Sequence, residues 1–174
     1  MRRRRRRNAR LRSIEGCDDM ADSEWKFLIG TEGDFPDNIV VSVLGRAHPQ
    51  YTDFWDGNWL SVKVAIQAGG FKGNYAADFR NEELARFHAA LVRLYAAQEG
   101  VAAFETMEGQ LSLKLTRDRL GHIAVEGTAQ DDAGIGNKLH FHFGIDQTYL
   151  PALIAELDEI LDKFPVIGKR DLER

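Results

Sequence analysis

Apolar and polar residues alternate along two long stretches of the chain, and each stretch is followed by a segment with helical spacing. Residues 60–67 show the clearest alternation, which is typical of a strand with one buried face. Strands that follow one another without an intervening helix pair antiparallel. The pattern therefore predicts the α+β class, with an antiparallel sheet of about seven to eight strands built from hairpins and two amphipathic helices, in the order strands, helix, strands, helix.

The predicted strands consist of alternating or β-branched residues between glycine, proline and polar turn signals. They lie at residues 25–29, 38–44, 60–67, 103–106, 110–116, 121–127 and 138–144. The first helix is predicted at 81–98, with Asn81 as its N-cap and Gly100 beyond its end. The second is predicted at about 148–163 and is stopped by Pro165.

The first long hairpin has a register that its turn specifies. Gly69 and Gly70 can adopt the positive φ angles of a two-residue turn, so residues whose numbers sum to 139 should face each other. Val62 then faces Ala77, and the pairing keeps apolar side chains on one face, as a defined register requires.

A second register follows from matching apolar residues in the last two predicted strands. A numbering sum of 264 pairs Glu126 with Lys138, an opposite-charge pair. The same sum sets His122 directly across from His142, with His140 on the same face because residues i and i+2 of a strand project together. Three imidazoles on one patch could bind zinc or another divalent metal, although the solvent side of an ordinary hairpin would carry the same residues.

The formal net charge of −4 averages two unlike regions. Residues 1–12 carry eight arginines and no acidic residue, whereas the rest of the chain has 15 Lys and Arg against 27 Asp and Glu. A run of like charges repels itself and buries nothing, so we expect residues 1–19 to be a disordered head. A single α+β domain is expected at 20–167 and a polar tail at 168–174.

The arginine-rich head has three interpretations. Arginine clusters neutralise phosphates, so a basic arm for nucleic acid or an anionic membrane surface stays open. A secretory signal is disfavoured because no apolar segment follows the arginines. We favour a start at Met20, directly before the first predicted strand, which leaves a body with 15 basic and 24 acidic residues.

The composition excludes several classes of function. No run approaches the ~18 apolar residues of a membrane helix. An acidic body argues against nucleic-acid binding by the folded part. Cys17 is the one cysteine and lies in the head, and no serine stands in a nucleophile motif. We therefore expect no enzyme activity and no cofactor.

Two groups of residues are candidates for binding a protein partner. Aromatic residues crowd the segment before residue 60, and large aromatic side chains anchor many interfaces, although they also cap cores. The last helix and the loop before residue 138 are rich in acidic residues, which either form a solvated surface or steer a basic partner. The candidates are Trp55, Asp56, Trp59, Asp131, Asp132, Glu156, Asp158, Glu159 and Asp162.

The segment DFWDGNWL at 53–60, followed by an alternating strand and the helix start at 83–87, resembles the WapI-like family of immunity proteins. These proteins pair with wall-associated-protein toxins in bacterial contact-dependent inhibition. The resemblance covers Trp25 to the end of the first helix and depends mainly on the spacing Asp-x-Asn-Trp-Leu at 56–60. The second half, with GHI at 121–123 and DQTYLP at 146–151, resembles a set of uncharacterised bacterial proteins of the same layout.

The resemblance implies a small cytoplasmic protein that binds a bacterial toxin domain and blocks it without catalysis. Many such toxins are nucleases with basic surfaces, to which an acidic body would be complementary. The alternatives are a metal-binding protein or metal-dependent enzyme that uses His122, His140 and His142, and a small-ligand or scaffold module.

Overall fold

The structure, a computed structural model, describes residues 24–31, Gly33 and 36–169. Its elements form two successive groups of four strands and one helix. The first group is β1 (Trp25–Gly30), β2 (Asn38–Arg46), β3 (Trp59–Ala68), β4 (Phe71–Arg80) and α1 (Asn81–Ala96). The second group is β5 (Gly100–Glu105), β6 (Leu111–Arg117), β7 (His122–Gln130), β8 (Lys138–Asp146), a 3-10 turn (Gln147–Tyr149) and α2 (Leu150–Lys163). The predicted head at 1–19 and the last five residues of the predicted tail lie outside the described residues.

Each group of strands forms its own antiparallel sheet, with strand orders β1-β2-β3-β4 and β5-β6-β7-β8. The α+β class, the antiparallel strands and the order of elements are confirmed, and the eight strands divide between two sheets. One hydrophobic core joins both sheets and both helices. Phe79 of β4 and Phe104 of β5 meet in it with ring centroids 5.6 Å apart.

Each helix covers the first strand of the other group. α1 packs beside β5, α2 packs beside β1, and the two helices contact each other. Glu156 of α2 accepts a hydrogen bond from the backbone N–H of Leu28 in β1 at 2.8 Å. The helix thereby satisfies a donor on an edge strand, where exposed backbone groups would otherwise invite pairing with another chain. Neither described helix has the length and apolar content that crossing a membrane requires.

The β3–β4 register is confirmed. Trp59 pairs with Arg80, Val62 with Ala77 and Ala68 with Phe71, all with a numbering sum of 139. Gly69 takes a φ of 57° in the turn, a conformation that glycine adopts without steric cost.

The predicted β7–β8 register is wrong by four residues. Glu126 pairs with His142 and His122 pairs with Asp146, a numbering sum of 268. A shift by an even number leaves the same side chains on the buried face, so alternation alone could not distinguish the two registers. In the observed register Phe141 faces Gly127, where a Cβ would lie 2.1 Å from the ring, so the space above this glycine accommodates the phenylalanine.

The helix ends also differ from prediction. Arg80 occupies the N-cap of α1, and Asn81, expected to be the cap, is fully buried in the first turn. The helix ends at Ala96, and Gly100 begins β5. Both Arg80 and Asn81 donate hydrogen bonds to the loop between β2 and β3.

Candidate functional site

The candidate site is built on the loop between β2 and β3, residues 51–58, which we call the aromatic loop. Asp53 organises its turn: its Oδ1 accepts hydrogen bonds from the backbone N–H groups of Trp55 at 2.8 Å and Asp56 at 2.9 Å. Bonds of this kind stabilise the ionised carboxylate. The bond from Asp56 is the strongest cause that holds the pKa of the Asp53 carboxyl below its ordinary value.

Arg80 anchors the aromatic loop from inside the protein. Its side chain is only 2% exposed, and it donates to the carbonyl oxygens of Trp55 at 2.8 Å and Phe54 at 2.9 Å. Its Nε donates to the carboxylate of Glu82. The guanidinium carbon also lies 5.3 Å from the ring centroids of Phe54, Trp55 and Trp59. A buried charge is tolerated only when it is paired and hydrogen-bonded, as it is here.

Asn58 joins the aromatic loop to the end of the domain. Its side chain is fully buried. The amide nitrogen donates to the carbonyl oxygens of Phe54 at 2.9 Å and Ile167 at 2.8 Å, and the amide oxygen accepts from the N–H of Ile167 at 2.9 Å. This single side chain therefore satisfies three backbone groups, two of which lie 109 positions away in the chain.

The C-terminal segment, residues 165–168, closes against the aromatic loop. Arg46 at the end of β2 bridges the two, donating at 2.5 Å to the carbonyl oxygens of both Gly57 and Pro165. A Cβ at Gly57 would lie 2.6 Å from the Cδ1 of Ile167 and 2.7 Å from the carbonyl oxygen of Asp53. Only glycine therefore allows the segment to pack this closely.

The first turn of α1 supports the same junction. The N–H of Asn81 donates to the carbonyl oxygen of Asn58 at 2.8 Å, and its side chain donates to the carbonyl oxygen of Phe164. These bonds connect the start of α1 to both the aromatic loop and the end of α2.

Glu83, also in the first turn of α1, connects the two halves of the domain. Its Oε2 accepts from the N–H of Arg80 at 3.0 Å, and its Oε1 accepts from the N–H of Met107 in the β5–β6 turn at 2.8 Å. The side chain is 3% exposed. Burial raises the pKa of this carboxyl, and the two N–H donors oppose the rise.

The outer surface of this junction is aromatic and acidic. Trp55 is 48% exposed, Tyr51 is 46% exposed, and Val166 of the C-terminal segment is 40% exposed. Arg46 donates to two backbone carbonyl groups, and Arg80 donates to two more and to the carboxylate of Glu82. The exposed charged side chains of the aromatic loop are therefore Asp53 and Asp56, and the Asp56 carboxylate has no hydrogen bond or ion pair with any residue that the structure describes. We call residues 51–58 and 165–168 together the aromatic platform.

The predicted acidic residues of α2 lie in three different environments. Glu156 is half-buried against β1, and Asp158 lies 2.9 Å from Nε2 of His88 in α1. Glu159 and Asp162 are exposed. Asp162 lies in the last turn of α2, which ends at Lys163, just before the C-terminal segment of the aromatic platform.

Asp131 and Asp132 lie at the other end of the first sheet. Asp131 borders a hollow with Phe71 and Leu139 at the tip of the β3–β4 hairpin, and it accepts a hydrogen bond from the N–H of Asn137 at 2.7 Å. Trp59 and Ala68 terminate β3, and its ten residues span roughly 30 Å. The structure therefore does not bring these two aspartates together with the aromatic loop.

The three histidines do not converge. All three lie on the exposed face of the second sheet. In the observed register His142 faces Glu126, which is four residues along β7 from His122. Four residues of strand span roughly 13 Å, too far for a shared ion. His140 instead lies 2.9 Å from the hydroxyl of Thr128. No cluster of three metal-ligating side chains occurs among the described residues.

Sequence reasoning found the aromatic loop but missed the side chains that hold it, namely Arg46, Arg80, Asn81 and the segment 165–168. One signal was available for Arg80. The correctly predicted β3–β4 register sets it directly opposite Trp59, on the strand end that enters the aromatic loop. Nothing local indicated the C-terminal segment, because its contacts are with residues more than 100 positions earlier.

The fold and the site define a two-sheet α+β domain in which the Asp-x-Asn-Trp-Leu segment anchors a hydrogen-bonded loop that exposes Trp55 and Asp56. A family model described as the Immunity protein WapI-like family matches residues 27–165, and the chain belongs to this family. The match includes both sheets and both helices, so the likeness seen in the first half extends through the second. None of the curated proteins compared with the chain matches it.

Proposed function

We propose that this protein is a non-catalytic immunity protein that binds and neutralises a bacterial toxin domain in the cytoplasm of the cell that makes it. Family membership supports the immunity role. The observation that carries the proposal is the position of the Asp-x-Asn-Trp-Leu segment, residues 56–60, in the fold. Leu60 packs in the core, Asn58 is buried and Trp59 lies on Arg80, so these side chains hold in place a loop that exposes Trp55 and Asp56.

A basic toxin surface is the partner that this face fits. Asp53 and Asp56 expose their carboxylates on the aromatic loop, and Glu159 and Asp162 are exposed on α2, the helix that ends just before residues 165–168. Complementary charge accelerates association and selects the partner, and it is screened by salt. Aromatic side chains beside such charges supply the apolar contact that tight interfaces require.

The test is neutralisation of a defined toxin domain. The full chain is produced together with the C-terminal domains of wall-associated-protein toxins from the same bacterium, and growth is measured. We expect growth to be restored by one such domain, and the purified toxin domain to lose its activity at one chain per toxin. Neutralisation far below this ratio would indicate turnover and overturn the non-catalytic mechanism. Failure with every toxin domain would overturn the immunity role.

The charge contribution is tested on α2. Glu159→Lys with Asp162→Lys should weaken toxin binding at low salt by about tenfold or more, because it reverses two exposed charges near the aromatic platform. Asp132→Lys is the matched control, since it changes an exposed aspartate at the far end of the first sheet. An equal loss of binding free energy per reversed charge in the two variants would mean that only net charge matters and that α2 is not part of the interface.

A further inference from the structure

We infer that the aromatic platform is a preorganised docking surface for a cationic side chain, arginine or lysine, on the toxin. Trp55 and Asp56 are the contact residues, and Arg80 and Asn58 are positioning residues. This inference rests on the function proposed above and names the surface and the chemical group through which it acts.

Preorganisation follows from how Trp55 is held. Its backbone N–H donates to Asp53 at 2.8 Å, and its carbonyl oxygen accepts from Arg80 at 2.8 Å, so hydrogen bonds hold the peptide groups on both sides of this residue. Its ring packs edge-on against Phe54, with centroids 5.4 Å apart, and against the Arg80 guanidinium. A large side chain that is already ordered loses little conformational entropy when a partner covers it.

The loop that carries Trp55 is held from a second direction by the C-terminal segment. Asn58 and Arg46 connect the aromatic loop to Ile167 and Pro165. Val166, between these two residues, is 40% exposed. The segment therefore braces the loop and also adds apolar area to its surface.

The charge distribution selects a cation. The positive charge of Arg80 is paired with Glu82 inside the junction, and Arg46 faces backbone carbonyl oxygens. The exposed charges next to Trp55 are then the carboxylates of Asp53 and Asp56. Asp53 is engaged by two N–H donors, whereas Asp56 keeps its carboxylate available to a partner. An arginine or lysine can pack its aliphatic stem on the indole ring while its charged end pairs with Asp56.

The contact residues are tested by affinity of the purified full chain for the neutralised toxin domain, measured at low and at high salt. Trp55→Ala should weaken binding about tenfold or more at both salt concentrations, as expected of an aromatic anchor. Asp56→Lys should weaken it by a similar factor at low salt and less at high salt, because the effect is electrostatic. Tyr149→Ala, a partly exposed aromatic outside the platform, and Asp132→Lys are matched controls that should stay within about twofold.

The positioning residues are tested with a double-mutant cycle. Arg80→Lys keeps the charge but cannot make the forked contacts to two carbonyl groups. We expect it to weaken toxin binding in the wild-type chain and to have little further effect in the Trp55→Ala chain, because its action passes through Trp55. A purely structural role would weaken binding equally in both backgrounds. Thermal unfolding of each variant establishes that it is folded at the assay temperature.

The outcomes separate this inference from the function on which it rests. If the wild-type chain binds its toxin domain and Trp55→Ala and Asp56→Lys bind as tightly as the controls, the docking surface is wrong and the immunity role stands. If the wild-type chain binds none of the toxin domains, both are overturned.

Discussion

The two halves of this protein share a plan, a four-stranded meander followed by a helix, but they differ in what they bury. Among the described residues, the first half buries two charged side chains, Arg80 and Glu83, together with two asparagines and a serine. The buried polar residues of the second half are Thr106, Gln110 and Gln130, all uncharged. The second half is therefore organised mainly by apolar packing, whereas the first also contains a hydrogen-bonded junction that holds a loop in one conformation.

The halves also differ in how their hairpins are specified. A two-residue glycine turn determines the pairing of β3 with β4, whereas a seven-residue loop separates β7 from β8 and leaves their pairing to side-chain packing. Four predictions test this comparison.

The largest expected effect is at the junction of the first half. Asn58→Ala removes three hydrogen bonds and leaves the N–H and the carbonyl oxygen of Ile167 without their partner, whereas the carbonyl oxygen of Phe54 still accepts from Arg80. We expect unfolding in urea to show a loss of about 3 kcal/mol in the free energy of unfolding. Asn137→Ala is the matched control in the second half, because its side-chain amide makes one exposed hydrogen bond, to Asp131 at 3.2 Å. It should cost less than about 0.5 kcal/mol. Similar losses for both asparagines would remove the distinction between the halves.

The second prediction concerns the register of the second half. Gly127→Ala places a methyl group against the ring of Phe141, and such overpacking typically costs about 1–3 kcal/mol. Gly73→Ala in β4 meets no atom within 4 Å and should change stability by less than about 0.5 kcal/mol. Thermal or urea unfolding measures both. If Gly127→Ala is as mild as its control, Phe141 does not lie over this glycine and the register with sum 268 is wrong.

A smaller, pH-dependent effect is expected at Glu83, which joins the halves. Because burial raises the pKa of this carboxyl, the folded protein holds its proton at a pH where the unfolded chain has lost it. Stability from this group is therefore complete at low pH and declines as the pH rises through the raised pKa. We expect the stability of Glu83→Gln relative to wild type to increase from pH about 4 to about 7. The pKa of Asp53 is lowered, so its contribution to stability rises with pH, but this contribution is the same in both chains and cancels in the difference. A difference that falls with pH would contradict the argument.

The smallest effect tests which lysine pairs with Glu126. In the structure Lys114 of β6 lies 3.5 Å from its carboxylate, and both side chains are exposed. A double-mutant cycle should give a coupling of a few tenths of a kcal/mol for Lys114 and none for Lys138. Coupling to Lys138 instead would favour the register that alternation alone suggested.

Much of the fold was predictable because it depends on local patterns. Alternating residues identified the strands, apolar stripes identified both helices, and a glycine pair set one register. The candidate site was only half predictable. The tryptophan-rich segment stood out by composition and by its family-like spacing. The buried side chains of Arg80 and Asn81 did not, because a charged or polar residue at a strand end usually faces water.

Periodicity and turn chemistry act over a few neighbouring residues, so they were enough to predict the class of fold, the approximate positions of the elements and the loop that carries Trp55 and Asp56. The β7–β8 register, the separation of the three histidines and the contact of residues 165–168 with the aromatic loop emerge only in the folded protein. These features depend on packing between segments far apart in the chain, such as Phe141 over Gly127 and Ile167 on Asn58. Local patterns are compatible with several such arrangements, and the space and hydrogen-bond partners available in the folded core select one.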